Sequence, residues 1–367
     1  MPRIAAIYRI RSTAKAIEAR AKALAVEQSV EMPVEAIDDA HVLAEIVGRV
    51  EAIEDRGDGS FTVRVGLAVE TTGPEPGQLL NMLFGNSSIQ DDAGLEDAEF
   101  PPEILAAFGG PRHGVAGLRE GCGAEKRAMT CSALKPQGLP PEGLAALARA
   151  MAEGGLDFIK DDHGLADQAY SPFAARVGAV ARAVAAANRR SGGRTRYAPS
   201  VTGSLDQMRA QARAAEAAGV DALLVAPMIA GLANFHALAR EFPGMAFLAH
   251  PAMAGAARIA PSFLIGKLFR LLGADAAIFP NHGGRFGYSP AACLELADAA
   301  RGAMGALKPC APVPAGGMTL GRVEEMLDFY GPDVVLLIGG GLLAARDNLA
   351  REAEVFQRRV AAFAREA

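Results

Sequence analysis

The sequence has no tryptophan, few other aromatic residues and only four cysteines among its 367 residues. The cysteines at positions 122, 131, 293 and 310 have neither the spacing of a zinc site nor that of a CxxC redox pair. No apolar run approaches the roughly 20 residues that a membrane-spanning helix needs, and the N-terminus lacks the apolar core of a signal peptide. These absences predict a cytoplasmic protein with free thiols.

Neither sign of charge dominates the chain, which has 37 Lys and Arg against 42 Asp and Glu and a net charge of −5. This balance disfavours nucleic acid and anionic membrane surfaces as partners. Half of the residues are apolar, which predicts a well-packed globular protein without disordered regions. The length is sufficient for one large domain and a smaller one.

The first 120 residues mix strands and helices without a strict βαβ repeat. Residues 4–10 predict a strand, and Ser12 is expected to cap a helix that runs to about Glu27. Apolar stretches at residues 42–53 and 61–69 flank the turn sequence RGDG, which predicts a β-hairpin, and a short helix is expected near residues 78–84. We therefore predict that residues 1–120 form an α+β domain of ferredoxin-like type.

From Ala128 onward, a short apolar run followed by an Ala-rich helical stretch recurs eight times. The apolar runs lie at residues 129–134, 156–159, 196–199, 222–226, 246–249, 276–279, 311–315 and 334–338. Helical periodicity follows most of them, as at residues 142–151, 205–217 and 346–363. Eight such units predict a (β/α)8 TIM barrel over residues 121–367. A doubly wound open sheet is the alternative, but the Gly-rich first turn typical of that fold is missing.

Charged residues follow the predicted barrel strands, where enzymes of this fold build their active sites. The densest cluster is KDDH after the second strand, in which strand alternation would send Lys160 and Asp162 to one side and Asp161 and His163 to the other. Carboxylate oxygens at this position suit Mg²⁺, although an exposed, salt-bridged loop is the alternative. Lys135 follows the first strand and is either catalytic or a solvated loop residue.

His250 follows the fifth predicted strand, and the polar loop NHGGR, which contains Arg285, follows the sixth. Each of these has a structural alternative, as a buried histidine or as an ordinary surface turn. Glycine pairs follow the last two strands, where backbone N–H groups commonly bind phosphate in this fold; they are Gly316, Gly317, Gly339 and Gly340. The residues alone therefore predict a phosphorylated small molecule held over a Mg²⁺-type acidic site.

The segment GGLDFIKDD at residues 154–162 resembles the metal-site segment of RuBisCO and RuBisCO-like proteins, and similarity extends over nearly the whole chain. The resemblance implies that Lys160 is carbamylated by CO₂ and that Asp162 binds Mg²⁺. A carbamate converts the lysine cation into an anionic oxygen ligand that suits a hard metal ion. The same resemblance implies catalytic roles for Lys135 and His250.

Further matches lie outside the metal-site segment and keep the order of the family. Glu27 and Asn86 match residues of the family's N-terminal domain that complete the active site of a neighbouring chain, which implies a homodimer with shared sites. The sequence GPRHG at residues 110–114 matches the segment before the barrel, and the two glycine pairs match the binding segments for one substrate phosphate.

Five positions depart from the family pattern. His163 stands where the family has a second metal-binding glutamate, so either the imidazole ligates the metal or the metal site is altered. Pro251 and Ala315 replace an arginine and a serine of the second phosphate site, and Gln137 replaces a second lysine after strand one. Arg285 is the residue that could supply the charge of the family's loop lysine. A bisphosphate substrate and carboxylation are therefore not expected.

The resemblance then implies metal-assisted enolisation of a ketose monophosphate, and the best match is isomerisation of 5-methylthioribulose 1-phosphate in sulfur salvage. Lys135 is the expected base, with the Lys160 carbamate as the second candidate, and the apolar Pro251, Met253 and Ala315 would face the methylthio group. The alternatives are enolisation of 2,3-diketo-5-methylthiopentyl 1-phosphate, decarboxylation of a 3-oxo sugar-acid phosphate, or a non-catalytic metabolite-binding protein.

Overall fold

The structure is a computed structural model that describes residues 1–366. It divides into two compact units. The first contains Met1–Gly109 together with Met253–Leu264, and the second contains Gly110–Ala252 together with the described residues from Ile265 onward. Within residues 1–366, none of the helices combines the length and the apolar composition that a membrane span requires. All four cysteines are buried free thiols, as predicted.

The first unit is built on a four-stranded antiparallel sheet in the order β2-β3-β1-β4. This is the strand order of a ferredoxin-like sheet, and a domain of that type was predicted. The strands are β1 Arg3–Arg11, β2 Arg49–Asp55, β3 Ser60–Ala68 and β4 Ala93–Glu99. The helices are α1 Ile17–Glu27, α2 Val69–Thr72, α3 Pro76–Phe84 and α4 Pro102–Phe108.

Two local predictions in this unit were wrong. The first helix begins at Ile17 rather than after Ser12, and its N-cap residue Ala16 makes no side-chain capping hydrogen bond. The apolar stretch predicted as a strand from residue 42 begins as the π-helical turn Val42–Ile46, whose first N–H group is bound by the Asp39 carboxylate at 2.9 Å. That side-chain bond favours a helical turn over an extended chain.

The second unit contains eight parallel strands in two four-stranded sheets, with the orders β12-β5-β6-β7 and β11-β10-β9-β8. The strands are β5 Met129–Leu134, β6 Phe158–Asp161, β7 Arg196–Ala198, β8 Ala222–Val225, β9 Ala246–Ala249, β10 Ala276–Pro280, β11 Ala311–Ala315 and β12 Val335–Leu337. The sheets join next to β7 and β8, where the Leu224 N–H donates to the Pro199 carbonyl at 2.8 Å. The predicted (β/α)8 barrel is confirmed.

One helix precedes the barrel strands, and the others follow them and pack around the barrel. They are α5 Gly114–Cys122, α6 Pro141–Glu153, α7 Phe173–Ser191, α8 Leu205–Ala217, α9 Pro227–Ala230, α10 Leu232–Glu241, α11 Phe269–Leu271, α12 Pro290–Arg301, α13 Val323–Tyr330, α14 Gly340–Leu343 and α15 Leu349–Glu366. Side chains such as Phe158, Leu224 and Ile278 fill the interior of the barrel. Because the interior is packed, a ligand can bind only at the ends of the strands.

The two units divide at Gly109 and Gly110, whereas the sequence predicted the change near residue 120. Helix α5 explains the difference. Its Val115, Leu118 and Cys122 are buried in the same core cluster as the barrel strands. The predicted boundary lay inside a helix that packs with the barrel, because an amphipathic helix does not reveal by its own sequence which core it covers.

Candidate active site

The polar cluster after the second barrel strand is partly inside the strand. Strand β6 continues through Lys160 and Asp161, which pair with Ala133 and Leu134 of β5, whereas the predicted apolar run ended at residue 159. Lys160, Asp161 and Asp162 are all buried, with at most 4 % of each exposed. Three ionisable groups are therefore held where water screens their charges poorly.

Asp161 points away from the other two and is enclosed by hydrogen-bond donors. Its carboxylate accepts from Arg176 Nε at 3.0 Å, from the Tyr197 hydroxyl at 2.7 Å and from the Ser200 N–H at 3.0 Å. Arg176, on α7, is also fully buried. Burial raises the pKa of Asp161. Asp161 thus anchors the strand end against α7 and is not available to a ligand.

Sequence reasoning missed Arg176, which the structure makes the main support of this strand end. Its guanidinium also donates to the backbone carbonyls of Ser171 at 2.7 Å and Ala166 at 2.8 Å, in the loop between β6 and α7. A signal was present in the sequence, because Arg176 lies on the same helical face as the buried Phe173 and Val180. A charged residue on an apolar helix face requires a buried partner.

Asp162 faces the other side of β6, where polar groups from the strand ends contact its carboxylate. Its carboxylate forms an ion pair with the Lys135 ammonium, and His163 Nδ1 lies 3.2 Å from its Oδ1. The Gly164 N–H donates to the same Oδ1 at 3.0 Å and closes a tight turn. The alternation rule was wrong for His163, because the strand ends at Asp161 and this turn returns the imidazole to the side of Asp162.

His163 also stacks on His250, with ring centroids 4.1 Å apart and an angle of 10° between the ring planes. The Ala252 N–H donates to His250 Nδ1 at 3.1 Å, so this nitrogen carries no proton and Nε2 carries it. Burial, and then the charge of Lys160, lower the pKa of His250 to about 2. His250 is therefore a neutral ring that offers an N–H donor at Nε2.

We expect the His250 ring to remain in this neutral tautomer from pH 8 down to pH 5. The folded state disfavours protonation, so this histidine contributes stability above pH 6.5, and that contribution is lost as the pH falls further. Imidazole ¹⁵N chemical shifts, assigned with a His250→Gln variant, measure the tautomer directly. Protonation of the ring near pH 6 would contradict the expected burial and the Ala252 bond.

Positive charge dominates the remainder of the site. Burial lowers the pKa of Lys160 to about 8, and the charge of Lys135 contributes. The pKa of Lys135 is lowered by burial and then by Arg285, and that of His163 by burial and then by Lys160, Lys135 and Arg285. The loop after β10 thus carries Arg285 toward the other predicted residues. We call the following side chains the strand-end cluster: Lys135, Lys160, Asp162, His163, His250 and Arg285.

The loop after β10 also contacts the glycines after β11. A side chain at Gly317 would approach the Gly284 backbone to 2.4 Å, and both Gly316 and Gly317 have left-handed φ angles, of 80° and 76°. The half-exposed ring of Phe286 lies against Gly316 and under the Arg285 guanidinium, whose carbon is 5.0 Å from the ring centroid. Sequence reasoning did not single out Phe286, because one aromatic residue in a polar loop has no distinctive pattern.

The glycines after β12 lie beside those after β11. A side chain at Gly341 would come within 3.0 Å of the Met318 carbonyl, in the turn after β11. A side chain at Gly339 or Gly340 would meet nothing within 4 Å, so these two border open space. The structure thus brings the two glycine pairs to one edge of the barrel, in a position to offer backbone N–H groups to an anion.

Glu27 and Asn86 lie together in the first unit. Asn86 begins the 3₁₀ turn Asn86–Ile89 directly after α3, and its Nδ2 donates to Glu27 Oε1 at 3.0 Å. Gly85 permits the turn, because a side chain there would come within 2.6 Å of the Asn81 carbonyl. A third residue, Glu31, also binds the Asn86 amide at 3.0 Å and was not predicted.

The metal ligands expected from the sequence are only partly assembled by the unmodified side chains. Among residues 1–366, no group of three or more His, Cys, Asp and Glu side chains is placed to hold a metal ion. Asp162 supplies the one carboxylate of the strand-end cluster, and His163 lies next to it. A hard cation at this position requires a further anionic oxygen, and Lys160 is the residue that could acquire one.

Comparison with known proteins gives consistent matches over the whole chain. The profile of the family described as ribulose bisphosphate carboxylase large chain, catalytic domain, matches residues 114–288. The chain is 61 % identical to 5-methylthioribulose-1-phosphate isomerase of Rhodospirillum rubrum over 98 % of this chain and 96 % of that protein. It is 33 % identical to 2,3-diketo-5-methylthiopentyl-1-phosphate enolase of Geobacillus kaustophilus, over 72 % of this chain and 66 % of that protein.

A crystal structure of a Rubisco-like protein from Rhodopseudomonas palustris superimposes with a TM-score of 0.92 at 56 % identity, covering 98 % of each chain. The similarity therefore includes both units.

Proposed function

Because the chain belongs to the family of RuBisCO-like proteins, we propose that it is an enzyme that isomerises 5-methylthioribulose 1-phosphate by enolisation. The observation that carries the proposal is the strand-end cluster, in which Lys135 pairs with the one carboxylate, Asp162, and lies close enough to Lys160 and Arg285 for their charges to interact. Such a cationic site suits an anionic ketose phosphate and the negative charge that develops when a proton leaves the carbon next to its ketone. The relative from Rhodospirillum rubrum bears the name of this activity.

The residues present fit a magnesium ion that is bound with the help of a lysine carbamate. Lys160 and Asp162 are both buried and lie two residues apart at the end of β6, and the lowered pKa of Lys160 makes its neutral amine, the form that adds CO₂, accessible near neutral pH. The carbamate would supply the anionic oxygen that the unmodified side chains lack, with Asp162 and His163 as the other ligands. When bound, Mg²⁺ would polarise the ketone of the substrate.

A lysine is proposed to transfer the protons, and His250 to hold the substrate. Lys135 is the proposed base, since burial and Arg285 lower its pKa. Engagement of Asp162 with a metal ion would also release Lys135 from its ion pair, so that the neutral amine could accept the proton from C3. The Lys160 carbamate is the second candidate for this role. His250 holds its proton on Nε2 and is proposed to donate a hydrogen bond to a substrate oxygen. Return of a proton to C2 would place the carbonyl at C3, and a second enolisation, with loss of the C4 proton and protonation at C3, would place it at C4.

The glycine loops are proposed to bind the one phosphate through the backbone of Gly316, Gly317, Gly339 and Gly340. Pro251 and Ala315 have no side-chain donor groups for a second phosphate and would instead face the methylthio group. The protein is therefore not a ribulose-bisphosphate carboxylase.

Completion of the site is proposed to require a second copy of the chain. Glu27 and Asn86 would contribute to the active site of a neighbouring subunit in a homodimer. A cytoplasmic location is part of the same proposal, since the four buried thiols are free.

Proton NMR in D₂O with 5-methylthioribulose 1-phosphate, Mg²⁺ and bicarbonate tests the proposed reaction. We expect the C3 proton signal to disappear and a rearranged pentulose phosphate to accumulate. Ribulose 1,5-bisphosphate under the same conditions is the control and should remain unchanged.

Other results of this experiment would redirect or overturn the proposal. Exchange without a rearranged product would indicate an enolase, and the diketo phosphate named for the Geobacillus kaustophilus relative would be the next substrate to test. Absence of exchange with every ketose monophosphate in a panel would favour a protein that binds metabolites without transforming them.

A further inference from the structure

The backbone of Glu31 has an unusual conformation. Its φ of 54° lies in the left-handed region, which only two other non-glycine residues within residues 1–366 adopt, Met253 and Arg346. Left-handed residues commonly end helices, but glycine is the usual choice because a Cβ atom is disfavoured there. Glu31 lies after the turn that follows α1, three residues beyond the C-cap Gln28, and its N–H donates to the Val26 carbonyl at 3.0 Å. A glutamate at this position therefore carries a cost that a glycine would avoid.

The strained residue places its carboxylate against a predicted site residue. Glu31 Oε1 and Glu27 Oε1 each lie 3.0 Å from Asn86 Nδ2. Glu27 is the last residue of α1, so the helix and the turn that follows it supply one carboxylate each. A helix that continued past Glu27, or a glycine at position 31, would leave Asn86 with one partner.

Two carboxylates determine the orientation of the Asn86 amide. An ionised carboxylate only accepts hydrogen bonds, and an amide NH₂ group has two hydrogens to donate. Both hydrogens of Asn86 are therefore used by Glu27 and Glu31, and the Oδ1 atom faces away from them. The adjoining backbone is also held, since the Ser87 N–H donates to Gln28 Oε1 at 3.3 Å.

We infer that Glu31 is a positioning residue that presents the Asn86 carbonyl oxygen as an acceptor for a hydroxyl group of the ketose phosphate. The inference rests on the proposed function, in which Asn86 completes the active site. This positioning role explains why a glutamate occupies a position where the backbone conformation favours glycine. Strain of this kind at a functional site is maintained when the side chain is needed in one position.

Replacement of Glu31 by glycine separates this role from a purely structural one. We expect Glu31→Gly to raise Tm by about 2–4 °C, because the backbone strain is relieved. We expect kcat to fall about 10-fold with little change in KM, because Asn86 can rotate and lose its alignment in the transition state. Glu31→Gln retains a side-chain oxygen and an orientable amide and should restore kcat to within about 3-fold of the original.

Glu35→Gly is the matched control, since it removes an exposed carboxylate from the neighbouring 3₁₀ turn Val34–Ala36. This variant should leave kcat unchanged. Its Tm should decrease slightly, because Glu35 is outside the left-handed region and a glycine there relieves no backbone strain. A Glu31→Gly protein with unchanged kcat would overturn the inference and leave Glu31 as a helix-ending residue only.

Side-chain NMR of ¹⁵N-asparagine-labelled protein makes the inference testable without a substrate. We expect the Asn86 NH₂ protons, which are exposed but bonded to two carboxylates, to exchange more slowly in the original chain than in Glu31→Gly. Equal exchange rates in the two proteins would contradict the clamp on Asn86, by which we mean its two hydrogen bonds to the carboxylates of Glu27 and Glu31. Slow exchange together with inactivity toward every ketose phosphate would instead place the error in the proposed function.

Discussion

Replacement of Lys160 by methionine is expected to lower kcat for the isomerisation by at least about 10³-fold. The residual activity should not respond to Mg²⁺ or bicarbonate, because methionine cannot form a carbamate. Methionine has a similar length and is apolar, and Lys160 is only 4 % exposed, so the fold should tolerate the change. The loss of activity would then report the missing amine and not an unfolded protein.

The measurement is the D₂O exchange assay with and without Mg²⁺ and bicarbonate, together with a thermal unfolding curve. Lys126→Met is the matched control, since Lys126 is an exposed lysine in the loop before β5 and should be replaceable without effect. A Lys160→Met enzyme that keeps its activity and its response to Mg²⁺ would remove the proposed metal site from this strand end.

Replacement of Arg176 by methionine is expected to lower the free energy of unfolding by about 3–5 kcal/mol. The change removes the charged partner of Asp161 and leaves that carboxylate buried with hydrogen-bond donors but no opposite charge. It also removes two bonds to the loop between β6 and α7. Since Asp161 lies between Lys160 and Asp162, we expect activity to decrease as well, because both neighbours lose their fixed backbone.

Urea unfolding followed by circular dichroism measures this loss. Asp161→Asn combined with Arg176→Met should recover part of it, since the unpaired charge is removed. Arg209→Met is the control, because Arg209 forms ion pairs with Glu241 and Asp206 at the surface, where such pairs contribute little. Equal effects of Arg176→Met and Arg209→Met would show that burial of the Arg176 pair has no energetic consequence.

Much of the candidate site could be located from the sequence because it lies at the ends of regular elements. The pattern of short apolar runs is local, and it places Lys135, Asp162 and His250 directly after strands that converge at one end of the barrel. The side on which His163 lies could not be read in this way. The rule of alternation applies within a strand, and β6 ends two residues before His163.

The contacts that hold the site residues in place could not be predicted from sequence patterns, for a different reason. Arg176 approaches Asp161 across fifteen positions and Asn86 approaches Glu31 across fifty-five, and each pair is joined by elements whose packing no single segment encodes. The left-handed backbone of Glu31 could not be predicted from the sequence either, since glutamate is not a residue that is typical of such a turn.

The sequence by itself determined the fold of both units and the set of ionisable residues at the barrel strand ends, because periodicity and strand order are properties of contiguous segments. Only the tertiary structure decided how those residues combine: which carboxylate faces the site and which faces α7, the stack of His163 on His250, and the clamp on Asn86. These arrangements depend on burial and on distances between residues far apart in the chain, and those exist only once the chain has folded.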